Sequence, residues 1–176
     1  YSVKLGDSWS VGFSGILAWQ SFKAEGLEAF GQMSQDPTSL SDNSANSSFG
    51  FGGKIGIQGE VTDGLFFGAT FQTKMYMSEF DDYSGLFAEN GDFDIPGTWT
   101  VGIAYELVPD KFTVAFDLKQ ICYNKINSIG NNMMSATGFN GPLGAETGAG
   151  FGWQNMTVWK LGFEYAANED WTFRTG

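Results

Sequence analysis

Residues Thr98–Gln120 read TWTVGIAYELVPDKFTVAFDLKQ. Large apolar side chains occupy every second position on both sides of Pro109-Asp110-Lys111: Trp99, Val101, Ile103 and Tyr105, then Phe112, Val114, Phe116 and Leu118. A period of two is that of a β-strand, and Pro-Asp-Lys is typical of a tight turn. This stretch therefore predicts an antiparallel hairpin.

The same pattern surrounds three more tight turns, Leu5-Gly6-Asp7, Thr62-Asp63-Gly64 and Asn168-Glu169-Asp170. Much longer connections rich in Ser, Asn, Asp and Gly lie between them, roughly Ala24 to Ser48, Phe80 to Ile95 and Ile126 to Gly152. Short turns at one end and long loops at the other are typical of a transmembrane β-barrel. The predicted fold is all-β, an antiparallel transmembrane barrel.

Successive side chains on a strand point to opposite faces, so residue parity assigns each face. Odd positions are the apolar ones in Trp9 to Lys23, Phe49 to Val61, Leu65 to Met77, Gly97 to Leu107 and Trp153 to Tyr165, whereas even positions are apolar in Phe112 to Gln120. The apolar face of Leu65 to Met77 is predicted to include Phe71 and Met75.

Charged residues within the strands fall on the opposite, small and polar face: Lys4, Lys54, Glu60, Lys74, Glu106, Asp117, Lys119, Lys160, Glu164 and Arg174. The apolar face carries charge only at strand tips, at Lys23 and Glu79. A Lys or Arg that faces lipid at the bilayer midplane costs about 2 to 4 kcal/mol. The segregation therefore predicts that the apolar face meets lipid and that the charged face lines the lumen.

A soluble barrel or sandwich also alternates, with its apolar face inward. Three features favour the membrane alternative. The strands are longer than the roughly 5 to 6 residues usual in soluble sheets, the polar face is rich in glycine and mixed charge, and aromatic residues cluster beside the tight turns, as in a membrane-interface girdle. Members of that cluster are Trp9, Phe66, Phe67, Tyr105, Phe112, Tyr165 and Trp171.

The composition argues against catalysis. The chain of 176 residues has no His and a single Cys, Cys122, and its net charge is −11. Without His, nucleophile activation by imidazole is not possible, and a lone Cys cannot form an intrachain disulfide. We predict no enzyme activity, no cofactor and no metal site.

Carboxylates are concentrated in the three long loops, whereas most of the basic residues lie on the inward face. Acidic loops are usually a solvated rim. They could also bind lipopolysaccharide through divalent cations, and outer-membrane lipid and lipopolysaccharide are predicted partners. No nucleic-acid partner is predicted, and the protein is expected to be a monomer.

Several stretches resemble a known family. Gly150–Tyr165 and Asp170–Gly176 are similar to a strand-turn-strand signature of the FadL/TodX family of outer-membrane transporters, which carry long-chain fatty acids and aromatic hydrocarbons. Asp94–Tyr105, with the Pro109-Asp110-Lys111 turn and Phe112 to Tyr123, resembles the preceding hairpin, and Gly6–Gly12 also matches.

The resemblance implies a 14-stranded barrel plugged by an N-terminal hatch, of which this chain would supply about eight strands, the fourth to the eleventh. Because the chain opens inside one strand and stops inside another, residues 1–176 are expected to be an interior part of a single barrel domain, without its hatch and C-terminal strands. The bacterial outer membrane is the implied location.

In that family two extracellular loops form a groove that first captures the ligand. They correspond here to Ala24 to Ser48 and Phe80 to Ile95. The predicted groove residues are Leu27, Phe30 and Met33, which are spaced as one helical face, together with Leu86 and Phe87. The alternative is that this face only packs the loop onto the barrel rim.

Some inward positions near the long loops are apolar rather than polar, namely Ile16, Ala18, Phe22, Met156 and Val158. Of these, Ile16, Phe22, Met156 and Val158 are predicted lumenal ligand contacts, and Lys160 just below them is a candidate partner for a ligand carboxylate. The alternatives are that these residues pack against loops or hatch, and that Lys160 pairs with Glu164 or with a carboxylate of a neighbouring strand.

The resemblance thus implies passive uptake of a long-chain fatty acid or another hydrophobic compound by loop capture, a lumenal pocket and lateral release. An aromatic hydrocarbon channel, an adhesion or receptor barrel without transport, and a diffusion porin are the alternatives. The apolar inward set argues against a porin, which needs an open polar channel.

Overall fold

The computed structural model of the protein describes residues 1–136 and 138–176. Its strands are β1 Ser2–Leu5, β2 Trp9–Phe22, β3 Asn46–Thr62, β4 Leu65–Gln72, β5 Tyr76–Met77, β6 Thr98–Val108, β7 Phe112–Ile121, β8 Met134–Ser135, β9 Gly138–Phe139, β10 Met156–Ala166 and β11 Thr172–Thr175. Within the described residues, nine of them form one antiparallel sheet in the order β1-β2-β3-β4-β6-β7-β10-β11, with β5 paired to β3. Strands β8 and β9 form a separate hairpin.

The four predicted tight turns are confirmed and lie at the same end of the sheet. Positive φ angles of 70°, 72° and 56° at Gly6, Gly64 and Asp110 reverse the chain in three of them. Glycine adopts such angles without strain, and Asp tolerates them because its side chain can bond locally. The other end of the sheet carries three long connections: loop A (23–45), loop B (73–97) and loop C (122–155, described except at residue 137).

The register aligns the apolar positions of neighbouring strands. Val11 lies opposite Ile57, and Leu17 lies opposite Phe51. Leu17 is 90% exposed. On the other face, Lys160 lies opposite Asp117. The sheet therefore has one apolar face and one charged, glycine-rich face, as residue parity predicts.

Met75 departs from the predicted face. Lys54 pairs with Gln72, but Phe51 pairs with Tyr76, so the β4–β5 side contains one extra residue. Such a bulge moves every later side chain to the opposite face. Tyr76 consequently points outward, whereas Met75 is only 2% exposed. The prediction that Met75 faces lipid is wrong.

Thr73 stabilises this bulge. Its backbone N–H donates to the Gly53 carbonyl at 2.9 Å, and its hydroxyl accepts the Gly53 N–H at 3.0 Å. The Met75 sulfur lies against Gly52, where a Cβ would come within 2.5 Å of it. The bulge and its glycine neighbours thus direct the chain from β4 into loop B.

Strand β10 begins at Met156, later than the predicted Trp153. The Trp153 backbone N–H donates to the Ile129 carbonyl at 3.0 Å, and its ring packs edge-on against Tyr123 with centroids 5.4 Å apart. These contacts within loop C keep Trp153 out of the sheet.

The long loops contain short helical segments: 3-10 helices at Glu28–Met33, Pro37–Ser39, Asp81–Tyr83 and Tyr123–Lys125, and single helical turns at Ala88–Gly91 and Asn127–Gly130. No helix in the described part of the chain is long and apolar enough to cross a membrane. The most buried apolar side chains, among them Leu40, Phe80, Tyr83 and Ile126, lie in these loops. The hydrophobic core therefore sits at the long-loop end of the sheet.

A charge placed on the apolar face should block membrane assembly. We expect Ile57→Arg and Phe71→Arg to lose the folded barrel because each costs about 2 to 4 kcal/mol near the midplane. Gln58→Arg and Gln72→Arg place the same charge on the lumenal face of adjacent residues and should be tolerated. Heat-modifiable gel migration of the full-length barrel measures folding. Equal losses in both pairs would disprove the assigned faces.

Candidate functional site

Aromatic rings join the end of β2 to loop B. The Phe22 ring lies 4.9 Å from Tyr83 and 4.8 Å from Phe87, edge-on in both cases, and 5.9 Å from Phe80. Phe80, Tyr83 and Phe87 are themselves buried. Such aromatic pairs contribute about 0.5 to 1.5 kcal/mol each beyond the area they bury. Phe22, predicted as a lumenal residue, thus anchors the loops to the barrel wall.

The Tyr83 hydroxyl fixes loop A at both of its ends. It accepts the Ala24 N–H at 3.1 Å, and the Asn43 and Ser44 carbonyls lie 3.2 Å from it as acceptors. A single buried oxygen therefore holds the start and the end of loop A against loop B.

Backbone hydrogen bonds connect all three loops. The Gly85 N–H donates to the Ser39 carbonyl at 2.9 Å between loops B and A. The Leu143 N–H donates to the Met33 carbonyl at 2.7 Å between loops C and A. The Asn90 N–H donates to the Gly144 carbonyl at 2.9 Å between loops B and C. The loops therefore form one packed unit.

Two glycines permit this packing. A Cβ at Gly85 would lie 1.9 Å from the Asp36 carbonyl oxygen. Gly144 has a φ of +87°, and a Cβ there would lie 2.4 Å from the Ser84 carbonyl oxygen. Any larger residue at either position would force the loops apart.

The packed loops line a cavity of about 410 Å³ that is partly open to solvent. Its apolar lining side chains come from loop A (Leu27, Phe30, Leu40), loop B (Leu86, Phe87, Phe93), loop C (Met133, Leu143, Ala149, Phe151) and the end of β2 (Phe22). The volume falls within the roughly 300 to 1,000 Å³ usual for small-molecule sites. The cavity is therefore the candidate binding site.

The lining contains one polar side chain among the described residues, and it already has a hydrogen-bond partner. Ser128 is the one polar side chain among the described lining residues, and its hydroxyl donates to the backbone carbonyl of Asp92. No charged side chain lines the cavity in the described part of the chain. It can therefore bind apolar surface but offers no partner to a charged group.

Four of the five predicted groove residues meet in this cavity: Leu27, Phe30, Leu86 and Phe87. The 3-10 helix has three residues per turn, so residues three apart share a face, which brings Leu27 and Phe30 together. Met33 does not line the cavity, although its backbone carbonyl accepts the Leu143 N–H of loop C. Ligand contact by any of these residues stays a prediction.

The contribution of loop C and of Leu40 and Phe93 was not predicted. These residues are single apolar side chains within polar or glycine-rich stretches, such as Leu143 in Gly141-Pro142-Leu143-Gly144 and Phe93 between Asp92 and Asp94. An isolated large apolar residue in a polar loop is the signal that could have identified them.

The other predicted lumenal residues lie on the inward face of the sheet, outside the cavity. Ile16 pairs with Gly52 on β3. Met156, Val158 and Lys160 follow one another along β10 opposite Ile121, Lys119 and Asp117. Ile16 and Val158 are half-buried, and Met156 and Lys160 are exposed.

Lys160 has no ion-pair partner among the described residues, although Asp117 lies opposite it. Glu164, one predicted partner, instead binds Arg174 at 2.6 Å. The Lys160 ammonium group is therefore available to bind an anionic group.

Two carboxylates and one lysine meet where loop B leaves the barrel wall. Asp94 is 3% exposed; it forms an ion pair with Lys74 and accepts the Met77 N–H at 2.7 Å. Burial, followed by the neighbouring Asp94 carboxylate, raises the pKa of Asp92 to about 7. The Lys74 ammonium group thus lies near two carboxylates, Asp92 and Asp94.

Two carboxylates of loop A accept hydrogen bonds from neighbouring residues of the same loop. Asp36 accepts the Thr38 N–H at 3.1 Å and its hydroxyl at 2.6 Å, and these bonds lower the pKa of Asp36. A hydrogen bond from the Ser41 hydroxyl lowers the pKa of Asp42 in the same way. Within residues 1–136 and 138–176, no group of three or more Cys, Asp or Glu is placed to hold a metal ion.

The sheet with its tight turns, long loops and apolar loop cavity is matched over its whole length by one family model, described as outer membrane protein transport protein (OMPP1/FadL/TodX), at residues 1–176. The chain belongs to the OMPP1/FadL/TodX family. Members of this family are bacterial outer-membrane proteins, so the apolar face of the sheet meets the lipid of that membrane.

Solved structures of the family have the same fold. The toluene transporter TbuX of Ralstonia pickettii is 19% identical, with 98% of this chain and 51% of TbuX covered and a TM-score of 0.63. The toluene transporter TodX of Pseudomonas putida is 19% identical, with 98% and 50% covered and a TM-score of 0.65. A FadL homologue of Pseudomonas aeruginosa is 16% identical, with 98% and 46% covered and a TM-score of 0.59.

The chain spans about half the length of these structures. At such identities the likeness concerns the fold alone. No curated protein matches the chain by sequence. The sheet therefore corresponds to part of an OMPP1/FadL/TodX barrel, and the loop cavity lies at the long-loop end of that part.

Removal of the Tyr83 hydroxyl should loosen loop A. Tyr83→Phe leaves the half-buried Ala24 N–H without its acceptor, which costs about 1 kcal/mol. We expect faster trypsin cleavage after Lys23 in the folded full-length barrel, identified by mass spectrometry. Tyr76→Phe, on the exposed face, is the control. Unchanged cleavage of Tyr83→Phe would show that the hydroxyl does not hold the loop.

Proposed function

We propose that the barrel to which this chain belongs carries apolar compounds across the outer membrane and that the loop cavity is their first binding site. The single observation that carries this proposal is the cavity itself, which three loops build at the long-loop end of the sheet from apolar side chains. The family match supports it, since members are outer-membrane transport proteins.

The hydrophobic effect drives capture in this proposal. Removal of apolar surface from water contributes about 25 cal/mol per Å², and the lining places large apolar side chains on several sides of a bound molecule. No energy source is needed when the compound then moves down its concentration gradient through the barrel. Lateral release into the bilayer stays a prediction from the family resemblance.

The cavity favours an uncharged ligand. A buried carboxylate needs a charged or hydrogen-bonding partner, and the described lining offers none beyond a Ser128 hydroxyl that is already engaged. An aromatic hydrocarbon meets no such cost. The names of TbuX and TodX as toluene transporters agree with this choice.

Two residues of one 3-10 helix test the cavity. Phe30 and Met33 are both 42% exposed in Glu28–Met33, but only Phe30 lines the cavity. We expect Phe30→Ser to weaken the binding of radiolabelled toluene to the full-length barrel by about 1 kcal/mol, a factor of about five, because a half-buried ring loses its apolar contact.

Met33→Ser is the matched control and should bind toluene like the wild type. Equal affinities for all three proteins would exclude the cavity as the binding site. Equal losses in both variants would show that the helix matters only through loop packing.

A long-chain fatty acid is the second candidate ligand, and one observation favours it. Lys160 lies on the inward face below Met156 and Val158 and has no ion-pair partner in the described part of the chain. An acid with its tail along those two side chains could place its carboxylate beside the ammonium group.

Oleate and its methyl ester distinguish the roles of Lys160. If Lys160 binds the ligand, Lys160→Met in the full-length barrel should lose about 1.5 to 3 kcal/mol for the acid and little for the ester, because only the acid makes a charged hydrogen bond. Lys119→Met removes a neighbouring inward base and is the control. Oleate affinity equal to that of the wild type would leave Lys160 as a lumenal charge.

A further inference from the structure

The segment Asp92–Asp94, here named the strap, lies between the loop cavity and the barrel wall. The Phe93 ring lines the cavity and packs on Phe87 with centroids 4.7 Å apart. Its backbone carbonyl accepts a hydrogen bond from the Gln20 amide at 3.0 Å. Gln20 lies on the inward face of β2, opposite Ser48. One residue thus contacts the cavity with its ring and the barrel interior with its backbone.

The bonds that hold the strap are mostly polar, and they include a hydrogen bond from the Asp92 N–H to the Ala88 carbonyl at 3.0 Å. Asp94 forms an ion pair with Lys74 and accepts the Met77 N–H, which ties the strap to the bulge between β4 and β5. The Ser128 hydroxyl donates to the Asp92 carbonyl and ties the strap to loop C. Release of the Asp94 contacts would remove the tie on one side of Phe93, leaving the Gln20 hydrogen bond and the packing on Phe87 to keep its ring in the cavity.

We propose that the strap is a gate between the loop cavity and the barrel interior, with Phe93 as its moving side chain and the Asp94 contacts as its latch. The identity of the compound that passes rests on the function proposed above. The opening of the strap does not, because it can be measured without any ligand.

The charges around the strap make the latch sensitive to pH. The charged groups near Asp92 are Asp94 on the strap, Glu89 of the preceding turn and Lys74 of the barrel wall. Lys74 neutralises one carboxylate, Asp94. A second charge on Asp92 is compensated by Lys74 only in part, is partly buried and lies close to Asp94, where like charges repel.

The raised pKa of Asp92 determines whether the strap closes at low or at high pH. The pKa of Asp92 is about 7 in the closed strap, against about 3.9 for an exposed Asp. A raised acid pKa means that the closed strap binds the proton more tightly than the open one. Closure is therefore favoured at low pH, weakens as pH rises from about 4 to about 7, and changes little above that.

Hydrogen exchange of the full-length barrel measures the opening. Peptides that cover residues 88–96 are followed at pH 5 and pH 8 in the wild type and in Asp92→Asn, which stays neutral. Comparison of variants at the same pH cancels the intrinsic pH dependence of exchange. We expect exchange of the wild type relative to Asp92→Asn to rise between these values on the order of a hundredfold, since opening gains about a factor of ten for each pH unit between pH 5 and the pKa of about 7.

Two further variants separate the gate from general loosening. Asp81→Asn removes an exposed carboxylate of the same loop and should behave like the wild type at both pH values. Lys74→Gln removes the partner of Asp94 and should raise exchange at both values. Heat-modifiable migration checks that each variant folds. Parallel exchange of the wild type and Asp92→Asn at both pH values would overturn the pH-sensitive latch.

Toluene uptake into proteoliposomes then tests passage. We expect uptake by the wild type to be faster at pH 8 than at pH 5, and uptake by Asp92→Asn to stay at the slow level. If the strap opens but uptake does not follow it, the strap is not the gate. If toluene fails to bind the cavity while exchange still depends on Asp92, the proposed function fails and the latch stands.

Discussion

Lipid on one side of the sheet is the constraint on which the rest of the structure depends. The bilayer core offers no water, so backbone groups must bond within the sheet and charged side chains must leave the lipid face. That is why Ile57 and Phe71 share one face while Lys54 and Lys160 lie on the other. It also explains why an apolar side chain such as Leu17 is left exposed by the sheet itself.

The same constraint displaces the hydrophobic core. A soluble sheet buries its apolar face against a second layer, but here that face is reserved for lipid and the opposite face is polar. The packed apolar residues therefore collect in the long loops, around Phe22, Phe80, Tyr83 and Phe87. Since those loops must also close on one another over the sheet end, the least filled part of their core becomes a cavity. The binding site is thus a consequence of where a membrane barrel can place a core.

Residue parity was sufficient to predict most of the fold, because charge segregation and tight turns are local signals. It failed at Met75, where one extra residue between Gln72 and Tyr76 reverses the faces and the sequence offers no clear mark of the bulge. The cavity was predictable in part. Spacing identified Leu27 and Phe30, but the contribution of Leu143 and Phe151 depends on how loop C folds back over loops A and B, which no short-range pattern encodes.

The bulge at Thr73–Met75 connects the pairing of the sheet with the packing of the loops around the cavity. Its extra residue ends the regular pairing of β4, and Lys74, which follows at the start of loop B, forms an ion pair with Asp94 near the end of that loop. Without Lys74, Asp94 would be a buried charge with only the Met77 N–H as a partner, which costs several kcal/mol. The irregularity that reverses residue parity therefore lies beside the ion pair that fixes Asp94, the neighbour of the cavity residue Phe93.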